Sequence, residues 1–261
     1  MLESLYSGSL ADAAKREESL SLGELESLAT KQEPALDALR SLAPRGTVHI
    51  VAEVKRASPS KGSLAEIPDP ALLAETYQRA GASAISVLTE ERKFKGSLQD
   101  LAAVHKRVQL PLLRKDFIGS EYQLLEARAF GADIFLLIVA GLSASRLATL
   151  KHFGEQLGMT AFIETHSSDE VKTALDVDAK LLGINARDLS TFETDRNLFG
   201  RLVDLIPDGV IKVAESAVRD AKDVAHYRAA GADVVLVGEA LVTSNPEATL
   251  RSFFDSQEPR I

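Results

Sequence analysis

Lysines, glutamates and an asparagine recur at the ends of short apolar runs in this 261-residue chain, and the lysines and glutamates are side chains that move protons. The first run ends in Glu53-Val54-Lys55 and a later one in Arg114-Lys115-Asp116. Others end in Glu164, in Asn185 with Arg187 beyond, in Glu215-Ser216 and in Gly238-Glu239. A lysine whose pKa is drawn toward neutrality can protonate a carbonyl, and a shielded carboxylate can stabilise a cation or accept a proton. Each residue has a structural alternative. Glu53 could pair with Lys55, Lys115 with Asp116 or Glu91, and Asn185 could cap a loop. The set carries the argument, because charges gathered at one end of buried runs are costly unless something pairs them.

Five histidines, His49, His105, His152, His166 and His226, show no His-Glu-x-x-His spacing, and there is no cysteine. No metal site, disulfide or thiolate chemistry is expected. Glu164-Thr165-His166 is too short a pattern to carry a reading by itself. Phe94, Phe117 and Phe192 follow apolar runs in otherwise polar loops, which suits them equally to packing those loops and to stacking on an aromatic substrate.

The elements that must position these residues alternate along the chain. Apolar, β-rich runs occur at 48–54, 84–88, 112–114, 134–139, 161–164, 181–184, 210–214 and 234–237. Helical stretches lie between them at 70–79, 98–108, 121–130, 144–157, 168–175 and 219–230. Near-continuous apolar strands separated by helices read as parallel strands buried on both faces. Eight such units suit a closed (β/α)8 TIM barrel, whose active site lies at the C-terminal ends of the strands. Ala80-Gly81-Ala82, Phe130-Gly131-Ala132 and Ala230-Gly231-Ala232 each join a helix to a strand, with glycine as a left-handed C-cap. An open doubly wound sheet would carry a Gly-rich loop after its first strand, and none follows Val51–Ala57. The first 45 or so residues read as helical and polar, ending at Pro44-Arg45-Gly46. The expected organisation is one domain over 1–261, with a helical extension at 1–46 and the barrel at 47–261.

Composition narrows the class of partner. The formal charge is −8 and no basic face is visible, so nucleic acid is not the expected partner. The longest apolar run, 134–142, is about half of the ~20 residues that a membrane helix needs, so no membrane partner is expected either. Met1–Leu10 is no secretory signal and cysteine is absent, which is compatible with a cytoplasmic location. Within this acidic chain, Lys55, Arg56, Lys61, Arg114, Lys115 and Arg187 lie beside the strands, so a local site for a small anion is expected.

The stretch Glu53-Val54-Lys55-Arg56-Ala57-Ser58-Pro59-Ser60-Lys61-Gly62 resembles the first strand and loop of the indole-3-glycerol phosphate synthase family. Further matches follow in order: Leu88-Thr89-Glu90 with Phe94-Lys95-Gly96-Ser97, Leu113-Arg114-Lys115-Asp116-Phe117, Glu121-Tyr122-Gln123 and Glu126-Ala127-Arg128. Gly183-Ile184-Asn185, Arg187-Asp188-Leu189, Ala214-Glu215-Ser216 and Val237-Gly238-Glu239-Ala240-Leu241 complete the series, which spans essentially the whole chain. The resemblance implies ring closure, decarboxylation and dehydration of 1-(2-carboxyphenylamino)-1-deoxyribulose 5-phosphate, without a cofactor. It implies that Lys115 is the general acid, that Lys55 holds the substrate carboxylate and assists, and that Glu164 is the base or cation stabiliser. Glu53, Asn185, Glu215 and Ser216 would orient these groups and the substrate hydroxyls. Ser58, Arg187, Ala217 and Gly238 would surround the phosphate. Phe94, Phe117 and Glu239 are further expected substrate contacts, and a monomer is the expected state.

The chain departs from the family pattern in three places. Ala217 stands where glycine usually follows Glu-Ser, which adds strain if the backbone there needs a positive φ. Thr165 replaces a valine and is expected to add a hydrogen bond beside Glu164. Ala186 replaces an asparagine. The alternatives are another sugar-phosphate barrel enzyme, such as phosphoribosylanthranilate isomerase, and a non-catalytic phosphate-binding barrel. The first is disfavoured by the missing cysteine and the paired strand-end lysines, the second by the presence of Lys55, Lys115 and Glu164.

Overall fold

Eight parallel strands close into a barrel in the computed structural model, which describes residues 1–188 and 191–255. They are β1 His49–Val54, β2 Ala84–Leu88, β3 Leu112–Lys115, β4 Ile134–Ile138, β5 Thr160–Thr165, β6 Leu181–Asn185, β7 Ile211–Glu215 and β8 Val234–Val237. Each strand pairs with its sequence neighbour, and β1 closes on β8 through His49–Val234 to Ala52–Val237. Leu189 of the Arg187-Asp188-Leu189 stretch lies outside the described residues.

Three helices precede the barrel: α1 Leu2–Glu17, α2 Leu22–Thr30 and α3 Ala38–Ser41. Among the described residues nine α-helices follow β1: α4 Pro70–Arg79, α5 Leu98–His105, α6 Glu121–Ala129, α7 Ala144–Gln156, α8 Ser168–Asp176, α9 Leu198–Leu202, α10 Ala221–Ala229, α11 Glu239–Val242 and α12 Pro246–Asp255. The chain writes their starts plainly. Asp69, Ser97, Ser120, Ser143, Ser167 and Asp220 each accept an N–H of the first turn. Gly81, Gly131 and Gly231 have φ of 101°, 92° and 102°, the left-handed caps expected of the repeated phrase. After α8 the same bend falls on Asp178, at φ 58°, so this junction carries no glycine for the eye to find.

Alternation along the strands divides the molecule into two cores. One set, including Ile50, Ile85, Phe135, Ile163, Leu182 and Val235, faces outward and packs under the helices. The other, including Val51, Leu113, Ile134, Phe162, Leu181, Val213 and Val234, fills the barrel, with Leu42 plugging its lower end. The interior series runs upward into Glu53, Lys115, Glu164, Asn185 and Glu215. The lower positions form a packed floor, and the top position of several strands is polar. The extension therefore contacts both ends of the barrel, Leu42 of the α3 turn below and Leu5 of α1 above. The reading of the first 45 or so residues as helical is corrected in part: residues 31–37, which contain Pro34, are not helical, and the longest helix of the extension is α1.

Candidate active site

A cavity of about 700 Å³ opens at the C-terminal ends of the strands. The fourteen catalytic and substrate-contact residues that the resemblance implies all line it. On its floor, Lys115 at the end of β3 donates to Glu164 Oε2 (2.8 Å) and Glu215 Oε2 (2.5 Å) across the barrel. Lys115 thus pairs with neither Asp116 nor Glu91. Asn185 Nδ2 donates to Glu164 Oε1 (2.9 Å), while Asn185 Oδ1 accepts from Ser216 Oγ (2.8 Å) and from Arg187 N (3.0 Å). On β1, Glu53 Oε1 and Lys55 Nζ are 2.7 Å apart, the pairing considered from sequence. Gly238 makes room for it, since a Cβ there would collide with Glu53 Oε1 and come within 2.9 Å of Lys55 Nζ.

The charges on the floor interact strongly. Burial alone would lower the pKa of Lys115, but Glu164, Glu215 and Glu53 overcome it and hold the ammonium above the ordinary lysine range. Burial would raise Glu164, yet Lys115 and His166 keep it below the usual carboxylate range. Glu215 goes the other way, pushed up to about 8 by burial and by the charge of Glu164. Two carboxylates flanking one ammonium cannot both be ionised as easily as one, so the pair titrates as a unit with the proton favouring Glu215. The carboxylates therefore move Lys115 away from neutrality, not toward it.

Two walls of different chemistry rise from this floor. One is apolar: Leu5, Leu88, Phe94, Phe117, Leu136 and Ile138. Phe117 packs between Tyr6 (centroids 5.7 Å apart, edge on) and Phe94 (6.1 Å). The other is polar and cationic, with Ser58, Arg187, Arg196, Ala217, Arg219 and Glu239. Arg187 donates to the Phe192 carbonyl (3.1 Å) and reaches Ser60 Oγ (3.5 Å). Lys61, on the loop after β1, pairs with Glu239 at the start of α11. Ser216 and Ala217 have φ of 69° and 56°, so alanine does sit at a left-handed position. Among the described residues no group of three His, Asp or Glu side chains is arranged to hold a metal ion. Nor is any helix among them long and apolar enough to cross a membrane.

Four expectations need correction. Arg114 is not part of the anion site: its side chain leaves the opposite face of β3 and is fully buried under α6. Arg56 likewise turns away, bonding Asp100 and the carbonyl of Ile67. Thr165 points out of the barrel and donates to Gly183 O (2.7 Å), so its hydroxyl serves the strand and not Glu164. Sequence reasoning set aside His166, whose ring lies beside Glu164, and did not find Leu5, Arg196 or Arg219 at the cavity. The arginines lie in loops with no period to betray them, and Leu5 belongs to a helix whose partner surface only the closed barrel creates.

The family described as indole-3-glycerol phosphate synthase matches residues 2–253. An indole-3-glycerol phosphate synthase from Leifsonia xyli is 61% identical over 253 residues, covering 97% of each chain. One from Rhodococcus jostii is 53% identical over 244 residues, 94% of this chain and 90% of that one. Among solved structures, an N-acetylmannosamine-6-phosphate 2-epimerase from Clostridium perfringens superposes with a TM-score of 0.62 over 86% of this chain and 98% of its own. At 13% identity that likeness speaks to the barrel alone.

Proposed function

The chain belongs to the indole-3-glycerol phosphate synthase family, a family of carboxy-lyases, and from that premise we propose how its cavity closes and decarboxylates 1-(2-carboxyphenylamino)-1-deoxyribulose 5-phosphate. The observation that carries the reading is the ammonium of Lys115, shared by Glu164 and Glu215 between an apolar wall and a cationic one. The aryl ring takes the side of Phe94 and Phe117. The phosphate takes the side of Ser58, Arg187, Ala217 and Gly238, where backbone N–H groups add to the side chains. Glu239, neutralised by Lys61, borders that end.

Lys115 protonates the sugar carbonyl oxygen as the ring carbon bearing the carboxylate attacks the carbonyl carbon. An ammonium held by two carboxylates is a poor acid, so a carbonyl that takes the place of one of them both receives the proton and frees the lysine to give it. Lys55 holds the substrate carboxylate, with Glu53 fixing its ammonium. Carbon dioxide then leaves, and the electron pair of the broken C–C bond returns to the cationic ring, so the residues named need no electron sink besides the substrate itself. Lys55 donates a proton to the new hydroxyl, which leaves as water, and the second ring cation that results is stabilised and deprotonated by Glu164. Asn185 and Ser216 orient Glu164 and the sugar hydroxyls, and Glu215 shares the proton traffic of Lys115. We extend the reading to a monomeric cytoplasmic enzyme, which sedimentation at micromolar concentration checks for the first term.

The direct test follows indoleglycerol phosphate fluorescence with purified protein in chelator. Turnover by the natural chain and its loss in Lys115→Met support the reading. Normal turnover by Lys115→Met overturns the role given to that lysine. An inactive natural chain that also fails to bind a reduced substrate analogue overturns the substrate.

A further inference from the structure

One buried titratable side chain at the site has no part in the steps above. His166 follows β5 and is held at both ends of its ring by carboxylates. Nδ1 lies 3.2 Å from Glu170 Oε2, and Nε2 lies 3.4 Å from Glu164 Oε1. The backbone N–H of His166 donates to the same Glu170 oxygen at 2.8 Å, which holds that carboxylate beside the ring. Glu170 is fixed in turn at the first turn of α8, where its N–H donates to Ser167 Oγ. Only 13% of the His166 side chain is exposed, and its Nε2 has no hydrogen bond besides the long approach to Glu164.

A neutral imidazole makes poor sense here. With both ring nitrogens facing carboxylates, one tautomer or the other would turn a lone pair onto an anion. The groups around it are Glu164 from β5, Glu170 from α8, Glu215 from β7 and, through its shared hold on Glu164, Lys115 from β3. Tyr6 of α1 also feels Glu164 and stays a neutral phenol, its pKa raised by burial.

We propose that His166 is a positioning residue for the reaction, an imidazolium clamped between Glu170 and Glu164 that keeps Glu164 ionised and turned toward Lys115. Burial opposes the charge, but the two carboxylates outweigh it and raise the histidine to about 10. The clamp also decides which carboxylate of the floor carries a proton. Glu164 has two cationic partners and Glu215 has one, so the shared proton stays off the group that acts as the base. The proposal rests on the reading of Glu164 as that base.

The experiment compares the natural chain with His166→Gln and Glu164→Gln. Gln offers an amide N–H toward Glu164 without the charge. Multiple-bond nitrogen–proton NMR of the natural chain, with the ring signal assigned through the backbone resonances of His166, should show a doubly protonated ring near pH 8, well above the usual histidine value of about 6.5. In His166→Gln the acidic limb of the kcat profile should move to higher pH by about one unit, with kcat down about tenfold and KM within about threefold. A neutral His166 near pH 8 overturns the proposal even if the variant does not fold. So does a kcat that falls uniformly with the limb unmoved, which is what a merely structural role produces. Full turnover by Glu164→Gln overturns the reading of the base, and the proposal with it.

Discussion

Arg114 and Lys115 are neighbours on β3 and both are buried among carboxylates, yet they belong to opposite kinds of charged network. Arg114 points outward, where Thr89, Asp116, Glu126 and the Gln123 carbonyl accept from its guanidinium. Glu126 also takes Arg16 of α1, and Asp116 also takes Ser9 of α1, Thr89 and the N–H of Phe117. Lys115 points inward to two carboxylates, one of which keeps an oxygen, Glu215 Oε1, with no partner. The outer network is closed on itself and the inner one is left open toward a cavity. Buried polar groups are normally satisfied, so an unsatisfied one beside open space marks where a substrate completes the set.

The largest effects should separate the two neighbours by kind. Lys115→Met should lower kcat by about 10³-fold or more, as expected for loss of a general acid, while leaving the folded state in place. Arg114→Met strands Asp116 and Glu126 in the core and should cost about 3–5 kcal/mol of stability, with kcat per folded molecule changed only a few-fold. Chemical denaturation and active-site titration of both variants give the two numbers. A comparable loss of kcat in both would show that the networks are one.

Those two residues also show what the chain discloses and what it hides. The barrel was legible because its cues are local: apolar runs, the helical stretches between them, and the glycine bends at Gly81, Gly131 and Gly231. Their places at the ends of apolar runs marked Glu53, Lys115, Glu164 and Glu215 as candidates, and the family motifs matched them. What sequence could not decide is which partner each charge takes, because partners lie many residues away: Lys115 meets Glu215 across 100 residues and Ser9 meets Asp116 across 107. Arg114 looked like a site residue because one position along a strand changes the face and leaves the composition unchanged. His166 looked generic because its meaning lies in two carboxylates, one on the strand before it and one on the helix after it.

The open network should also announce itself in the pH dependence of stability. Glu215 is raised in the folded chain from 4.5 to about 8, so its contribution is present at low pH and lost as pH rises through that window. His166, raised from 6.5 to about 10, acts in the same direction over a higher range. The unfolding free energy should therefore fall as pH rises from about 5 to 8, and Glu215→Gln should flatten that slope. Denaturant titrations across the range measure it. An unchanged slope in Glu215→Gln would mean that Glu215 is ionised in the folded protein and that the contrast between the networks is one of geometry alone.

A milder probe tests the closed network from the α1 side. Ser9 Oγ donates to Asp116 Oδ1 (2.7 Å) and accepts from Gln123 Nε2 (3.1 Å). Ser9→Ala should cost about 1–2 kcal/mol, since two buried partners each lose one hydrogen bond and keep others. The acidic limb of the kcat profile should stay where it is, because the Asp116 carboxylate bonds Ser9, Thr89, Arg114 and the N–H of Phe117 and none of the charged groups of the floor. A shift of that limb would show that the outer network reaches the lysine through the backbone of β3.

The smallest effect belongs to Ala217, where the open site touches the backbone itself. Its φ of 56° places a Cβ in the left-handed region, which costs about 1 kcal/mol relative to glycine. Ala217→Gly relieves that strain and also frees the unfolded chain, which takes back about 0.4–1 kcal/mol, so the net change in stability should be under about 1 kcal/mol. The functional consequence has its own sign. Ser216 and Ala217 are consecutive residues with positive φ, and both line the cavity together with Arg187 and Ser58. If the alanine holds this pair in shape, glycine loosens it and inorganic phosphate should bind about two- to threefold more weakly in calorimetric titration. Tighter binding in Ala217→Gly would instead mean that the alanine strains the pair away from its best geometry, so that the mouth, like the floor, is held short of full satisfaction until the substrate arrives.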